Sequence, residues 1–412
     1  MAESTPTPEV EVADVWRLLD ERVKPLESER VPLDKALGRI LREDIRATTD
    51  QPSFDRSAMD GYAFVPSSAP GNFHLYRIIG SVKAGEVAAR VPGPGEALRV
   101  FTGAELPAPG LAVLMQEESR VEGDQLCVER EVAPGENVRR CGSDARRGDV
   151  LLPKERRLGA VSLAVLASDG QVKPLVAAAP RVAHATTGDE IVSPESAPGH
   201  GQIRNSNQIL IRSLLQSVIP AENIHQEHWG DDPVAAATRL AAEPFAKADL
   251  ILISGGASVG DHDYTARVLE EAGFELPVRK INSRPGRPLI VGFRGRQIAF
   301  GLPGNPVSHF VCFHLMVNHA VARLRDVPMP EWHPLPLAEA LPNCFNRRPT
   351  YWPAAMETDR VRNTRVVRPL AWNNSGHLAA LLQAQVLFCV PPETKALPAG
   401  SRVNSFPVYF FS

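Results

Sequence analysis

The sequence predicts a multidomain α/β protein with a doubly wound α/β domain, a small β domain before it and a β barrel or sandwich after it. Three observations carry that expectation. The chain has 412 residues, too many for one ordinary domain and enough for two to four with cores of their own. From Arg181 to the helix that follows Pro306, apolar strand-like runs alternate with helical ones, the rhythm of a parallel sheet with helices on both faces. On either side the pattern changes to short apolar or alternating runs separated by Gly and Pro, as small β structures require. The 37 prolines exceed the average share of about 5% and are spread along the chain, which favours many turns and edges over a disordered tail.

Taken in order, "VADVWRLLDERV" sets Val15, Trp16, Leu19 and Val23 at helical spacing, and "VPLDKALGRILREDIRA" reads as a short helix followed by a strand. From about Gln51 to Glu131, "YAFV", "LYRIIGSV", "ALRVF", "LAVLMQEE" and "LCVEREV" read as the strands of the small β domain. A strand "RVAHATT" then leads through a Gly-rich loop to a helix near Ser206 to Ser217, and a second helix covers roughly Pro233 to Ala246. The strand "DLILIS", a helix from about Tyr264 to Ala272, the strand "QIAFGL" and a long helix after Pro306 complete the α/β region. After about Val327, "TRVVRPLA", "VLFCVP" and "RVNSFPVYFF" read as strands of a barrel or sandwich.

Composition narrows the function classes. A formal charge of -3 leaves no broad basic footprint for nucleic acid or an anionic membrane, so any anion site must be local. Five widely spaced cysteines without a CxxC pair argue against a disulfide framework or a cysteine zinc site. The acidic N-terminus lacks the pattern of a secretory signal, and the longest apolar stretch is interrupted by His314, Asn318 and His319. A cytoplasmic protein is expected.

Three loops follow three strands of the α/β region: "TTGDE" (Thr186 to Glu190), "SGGASVGDHD" (Ser254 to Asp263) and "GLPGNPVS" (Gly301 to Ser308). In a doubly wound sheet they converge on one edge, where ligands bind. The small residues of the second loop expose backbone N–H groups to an anion, and its aspartates suit a cation. Asn305 stands at a helix N-cap position with Pro306 at the first helical position, leaving free N–H groups in the same crevice. Gly and Pro punctuate any single loop for geometric reasons alone; the three together favour a site. Neither GxxxxGK[ST] nor GxGxxG is present. "RKINSRPGRP" sets Lys280, Arg284 and Arg287 around a Pro-Gly turn, where guanidinium groups can hold a tetrahedral oxyanion or simply face solvent. By spacing, "PSFDRSAMDGYAF" reads as a β-hairpin corner with aspartates capping turns. The histidines have no metal-ligand spacing such as HExxH.

The series "FDRSAMDGYA", "TGAELP", "TTGDEIV", "GQIRNSN", "SGGASVGDHDYT", "RPGRP" and "FGLPGNPVS", in that order, resembles the molybdopterin molybdenumtransferase family, the MoeA proteins and the E domain of gephyrin. The resemblance runs from about Ala13 to the C-terminus. It implies an elongated homodimer of four-part subunits: a discontinuous helical and extended domain (1–48 plus 138–175), the small β domain (49–137), a MogA-like α/β molybdopterin-binding domain (176–326) and a C-terminal β barrel (327–412). The implied reaction inserts molybdenum from molybdate into adenylylated molybdopterin and releases AMP with Mg²⁺ present.

Carried over by motif, the resemblance implies that Asp60 and Thr102 face the cleft from the partner subunit. It gives Glu190, Asp261 and Asp263 to magnesium and phosphate positioning, and Gly255, Gly256 and Ser258 to phosphate. It sets Lys280, Arg284, Arg287 and Ser375 around molybdate, and gives the wall to Pro303, Pro306 and Ser308. Arg348 stands for the first arginine of the family's "GRxxFxR", with Pro353 in place of the second; Arg284 and Arg287 replace the lysines of the usual "KPGKP". Further implied partners are the adenylyltransferase that supplies the substrate and apo-molybdoenzymes, with no nucleic acid and no membrane. The alternative function is a pterin-binding or scaffolding paralogue with weak or no turnover, since fold does not fix function.

Overall fold

The computed structural model describes residues 8–67, 73–256, 264–360, 363–372 and 374–408. It divides into two compact units, Arg30–Val176 and Met1–Glu29 with Ala177–Ser412.

In chain order the elements begin with α1 (Val12–Arg22), which buries Val12, Val15 and Leu19. Trp16 donates its indole N–H to the Leu315 carbonyl at 2.7 Å, and the apolar stripe joins the core of the α/β sheet, so α1 belongs to the larger unit. That differs from the expected grouping of residues 1–48 with 138–175. The expected helix in the next segment is only a 3₁₀ turn, Leu33–Lys35.

Within Arg30–Val176 the strands of the main sheet are β1 (Gly61–Phe64), β2 (His74–Val82), β3 (Glu96–Val100), β4 (Ala112–Met115), β5 (Arg120–Glu122) and β6 (Gln125–Val128). They form one sheet in the order β4-β1-β3-β2-β6-β5, antiparallel except for β2 with β3. Alternation sends Tyr62 and Phe64 to one apolar cluster and Ala63 to another, so both faces are covered. Gly61 is required where β1 meets β4, because a Cβ there would lie 2.0 Å from the Leu114 carbonyl oxygen. A further cluster joins Leu41, Ile45, Leu152, Leu158, Leu166 and Val176, with Leu166 supplied by α2 (Ala160–Ser168).

The larger unit continues with β7 (Val182–Thr187), α3 (Ser206–Gln216), β8 (Ile224–Trp229), α4 (Pro233–Ala241), β9 (Leu250–Ser254), α5 (Tyr264–Glu271), β10 (Glu275–Val278), β11 (Ile290–Arg294) and β12 (Gln297–Leu302). A continuous helical run follows, α6 (Pro306–Cys312), a π turn (Phe313–Val317) and α7 (Asn318–Leu324). The sheet order is β8-β7-β9-β12-β11-β10. Its first four strands are parallel, whereas β11 is antiparallel to both its neighbours, β12 and β10, so the sheet is mixed rather than wholly parallel. The second predicted helix also ends early, at Ala241; Pro244 cannot donate a helical hydrogen bond, and only a 3₁₀ turn, Phe245–Lys247, follows. Registers pair Thr186 with Ser254 and Ser254 with Leu302, which brings the carboxyl ends of β7, β9 and β12 level.

The remaining strands are β13 (His333–Pro336), β14 (Thr350–Asp359), β15 (Thr364–Pro369), β16 (Val386–Val390) and β17 (Arg402–Pro407), in the order β13-β17-β16-β14-β15. A parallel bridge between Leu337 and Val367 joins the two outer strands and closes the barrel around Leu337, Val367, Val386 and Phe388.

Candidate active-site cleft

The level ends of β7, β9 and β12 open into a cleft of about 620 Å³. Thr186 to Gly188 and Glu190 line one side, Ser254 to Gly256 the floor, and Gly304 to Pro306 the other side; Asn205 to Asn207, at the start of α3, complete the mouth. The described parts of the three loops thus converge as their position after adjacent strands requires. Gly255 has φ +104, and a Cβ on it would lie 2.7 Å from the Thr187 carbonyl oxygen and 2.8 Å from its hydroxyl. Glycine is therefore the residue that lets this turn lie directly against the neighbouring loop. At Gly188 a Cβ would sit 2.5 Å from Glu190 Oε2, so the Glu190 carboxylate folds back over its own loop beside the cleft.

Much of the surrounding polarity is already used. The Asp231 N–H donates to Asp189 Oδ1 at 3.2 Å, and the Asp189 N–H to Asp231 Oδ2 at 3.4 Å, which ties the first loop to the segment after β8. The Tyr264 hydroxyl donates to the carbonyls of Gly230 and Asp232. Burial, and then the charges of Asp231, Asp232 and Asp189, push its phenol up to about 12, so it remains a donor. Asn205 caps α3 by accepting the Gln208 N–H at 3.1 Å and donates to the Thr186 hydroxyl at 2.7 Å. Two oxygens stand apart: Thr187 Oγ1 and Asn207 Oδ1 are buried without a partner among the described residues, although Asn207 Nδ2 donates to the Gly304 carbonyl at 2.6 Å. Sequence reasoning singled out neither. Both lie inside the quoted motifs, Thr187 as a strand end and Asn207 as a first-turn helix residue, and neither position advertises a free acceptor.

The helix after the third loop departs from expectation in one respect. Asn305 occupies the N-cap and Pro306 the first position, yet the Asn305 side chain makes no cap hydrogen bond. The Val307 N–H is taken instead by the Ser375 carbonyl at 2.9 Å, so it is not free in the crevice. Ser308 is buried in α6, and the Pro303 carbonyl accepts from His309 Nδ1 at 3.1 Å.

The basic turn is a second assembly of polar groups in the same unit. Arg284 lies over the Trp372 ring at 5.5 Å, Arg287 Nε donates to Glu9 Oε1 at 2.6 Å, and Arg348 Nη1 donates to the Ser283 carbonyl at 3.0 Å. Burial lowers the Arg348 pKa, with Glu9 opposing the effect and the charges of Arg287 and Arg284 adding to it. The three guanidinium groups therefore share one neighbourhood. Lys280 accepts the Val10 N–H on its carbonyl, which lays residues 9–11 along the turn. None of these four cations lines the cleft described above.

Asp60 and Thr102 lie in the unit Arg30–Val176. Asp60 Oδ1 accepts both the N–H and the hydroxyl of Thr102 at 2.7 Å, and these two bonds hold the exposed carboxyl below its ordinary range. Ser258, Asp261 and Asp263 lie outside the described residues. Among the sequence-predicted residues, the structure thus brings Glu190, Gly255, Gly256 and Pro306 together at one cleft. It gathers Arg284, Arg287 and Arg348 at the basic turn, and pairs Asp60 with Thr102.

Comparison with known proteins matches two regions of the chain to family models. Residues 10–170 match the MoeA N-terminal region (domain I and II), and residues 183–323 match the probable molybdopterin binding domain. A protein of Staphylococcus aureus strain Mu50 named molybdopterin molybdenumtransferase is 31% identical over 380 residues, covering 91% of this chain and 90% of that protein. A Staphylococcus epidermidis protein of the same name is 29% identical over 396 residues, covering 95% and 93%. The crystal structure of a molybdopterin biosynthesis MoeA protein from Pyrococcus horikoshii superposes with a TM-score of 0.77 at 28% identity, covering 98% of this chain and all of that one. With likeness of this extent in both sequence and fold, the chain belongs to the molybdopterin molybdenumtransferase family.

Proposed function

We infer that the chain is an enzyme of molybdenum cofactor biosynthesis, a molybdopterin molybdenumtransferase that inserts molybdenum into adenylylated molybdopterin and releases AMP. The observation that carries this reading is the 31% identity to the Staphylococcus aureus protein of that name over 91% of the chain. The same extent of likeness disfavours a paralogue without turnover. The test is reconstitution of a molybdenum-free apoenzyme with this protein, adenylylated molybdopterin, molybdate and Mg²⁺; if neither AMP nor active enzyme appears, the reading fails.

The finer roles belong to the same proposal. The Gly255–Gly256 turn, with Ser258, holds phosphate; the Gly255 N–H already donates to the Leu302 carbonyl at 3.1 Å, so the N–H offered to the anion is that of Gly256. Glu190, Asp261 and Asp263 hold Mg²⁺, which neutralises charge at the phosphate when bound. The donor set suits that ion, since Glu190 offers hard carboxylate oxygens beside the cleft. Mg²⁺ takes hard oxygen ligands, carboxylates together with substrate phosphates and water. An unchanged magnesium titration in Asp263→Asn would reject the assignment. Lys280, Arg284, Arg287, Arg348 and Ser375 surround molybdate, and Pro303, Pro306 and Ser308 shape the wall.

Asp60 and Thr102 act from the partner subunit of a homodimer of four-part subunits, with α1 packed in the larger unit. Mixing the Asp60→Ala and Asp263→Ala proteins tests this: exchanged subunits that recover no activity rule out a shared site. The adenylyltransferase and apo-molybdoenzymes are the proposed protein partners, checked by co-purification with each. No described helix is long and apolar enough to cross a membrane, and a cytoplasmic location, testable by fractionation, fits this reading.

A further inference from the structure

Beneath the cleft floor runs a chain of buried hydrogen bonds that the proposed roles leave unused. Gln226 Nε2 donates to the Gln208 carbonyl at 2.8 Å and meets His184 Nδ1 at 2.8 Å, so that ring nitrogen is an acceptor. His184 Nε2 then carries the proton and donates to Ser254 Oγ at 2.7 Å. At the far end His309 Nδ1 faces the Pro303 carbonyl at 3.1 Å, which can only accept. Its Nε2 is therefore bare and takes the Ser254 hydroxyl proton at 3.2 Å. Both rings are completely buried, and burial lowers their pKa values to about 3 for His184 and about 4 for His309, so both are neutral at pH 7. The next peptide is fixed from the other side, where Asn207 Nδ2 donates to the Gly304 carbonyl and leaves Oδ1 at the cleft without a partner among the described residues.

We propose that His184, Ser254 and His309 form a positioning network that fixes the Pro303–Gly304 segment and thereby aims Asn207 Oδ1 at an N–H donor of the bound pterin nucleotide. The chain of bonds has one direction throughout, from Gln226 on β8 across β7 and β9 to the loop before α6. Every donor and acceptor in it is used once, so the loop has one preferred setting relative to the Ser254–Gly256 turn. An amide oxygen accepts and never donates, which selects an amino or ring N–H group of the pterin or adenine as its ligand. This proposal rests on the reading of the cleft as the pterin-nucleotide site.

The experiment has two readouts on the full-length protein. With ¹⁵N-labelled histidine, magnetic resonance should find His184 protonated on Nε2 and His309 on Nδ1; His309 protonated on Nε2 overturns the proposal. The second readout is kcat and KM for adenylylated molybdopterin, followed by AMP release, alongside the melting temperature. His309→Asn retains a donor near the Nδ1 position, for Pro303, whereas His309→Gln retains an acceptor near Nε2, for Ser254. The Gln protein should show KM raised about tenfold, the equivalent of one hydrogen bond, with kcat within about threefold of wild type. The Asn protein should recover most of that loss although both melt earlier. Equal KM in wild type and the Gln protein overturns the positioning role while leaving the function intact. A wild type that releases no AMP overturns both. The tautomer readout decides the matter even if a variant fails to fold.

Discussion

The cleft and the basic turn lie in the same unit and are both rich in polar groups, yet they are prepared for ligand in opposite ways. At the cleft, neighbouring polar groups are tied to one another while Thr187 Oγ1 and Asn207 Oδ1 lack partners among the described residues, and glycines keep side chains out of the space beside them. At the basic turn the cations already have company: Glu9 on Arg287, the Ser283 carbonyl on Arg348, the Trp372 ring under Arg284. A ligand entering the cleft satisfies oxygens that are buried and unpaired, whereas an oxyanion at the turn must replace an internal carboxylate. The first site gains from binding what its apo form lacks, and the second gives up part of what it gains.

The largest expected effect tests whether the turn binds the oxyanion at all. Replacing both Arg284 and Arg287 by alanine removes two charge-assisted contacts, each on the scale of roughly 1.5 to 3 kcal/mol, so molybdate affinity should fall at least about a hundredfold. The molybdate dependence of AMP release measures it, and an unchanged dependence would reduce the turn to a surface feature. Gly255→Ala comes next. Its left-handed backbone and the Thr187 carbonyl at 2.7 Å from the new Cβ leave no relaxed position. Strain of about 1 to 3 kcal/mol should lower kcat/KM roughly tenfold to a hundredfold through the cleft alone, leaving molybdate dependence untouched. Glu9→Gln should act in the reverse direction. The Glu9–Arg287 pair is partly exposed, with side chains 27% and 40% accessible, and pairs of that kind contribute about 0 to 1 kcal/mol. Molybdate should therefore bind up to about fivefold more tightly in the Gln protein. Weaker binding there would show that Glu9 supports the turn rather than competing with its ligand.

The cleft was legible in the sequence where backbone decides the outcome. Apolar runs ending in "TTGDE", "SGG" and "GLPGNP" mark strand ends with tight turns, and adjacency in a parallel sheet does the rest. Side-chain pairings over long separations were not legible. His184 and His309 are 125 positions apart and share only the Ser254 hydroxyl, so no spacing rule could join them. Glu9 gives no hint in "PTPEVEV" that its carboxylate reaches Arg287. Among the elements, β8 was missed because "IHQEHW" buries only Ile224 and Trp229, which gives no strand period. The antiparallel strand β11 was missed, and its partner β10 does not stand out because "ELPV" is short and carries Pro277, as only an edge strand tolerates. The shortened α4 was readable in principle, since Pro244 stands in the predicted helix.

The smallest effect on turnover, and the sharpest contrast between the two regions, comes from acid. The cleft floor rests on neutral buried histidines, while the turn is made of arginines whose charge does not change over the same range. Burial lowers His184 and His314 to about 3 and His309 to about 4, from an ordinary value of 6.5. A folded-state pKa below the unfolded one means that the unfolded chain binds more protons. The stability these rings contribute is fully present above about pH 6.5 and is lost as pH falls toward their folded values. Each ring steepens the loss by up to about 1.4 kcal/mol per pH unit. His314 supplies the control, because it lies in the π turn away from the cleft network, stacked edge-on to Phe310 and Phe313, with neither ring nitrogen partnered among the described residues. His314→Leu should leave kcat and KM near wild type, raise stability at pH 7 by about 1 to 3 kcal/mol, and lower the acid slope by one ring's share, up to about 1.4 kcal/mol per pH unit. Denaturant unfolding between pH 7 and pH 4.5 measures both quantities. If the His314→Leu protein shows no remaining slope, the rings of His184 and His309 are not held neutral by folding, and the contrast between an acid-sensitive cleft floor and an acid-indifferent turn is lost.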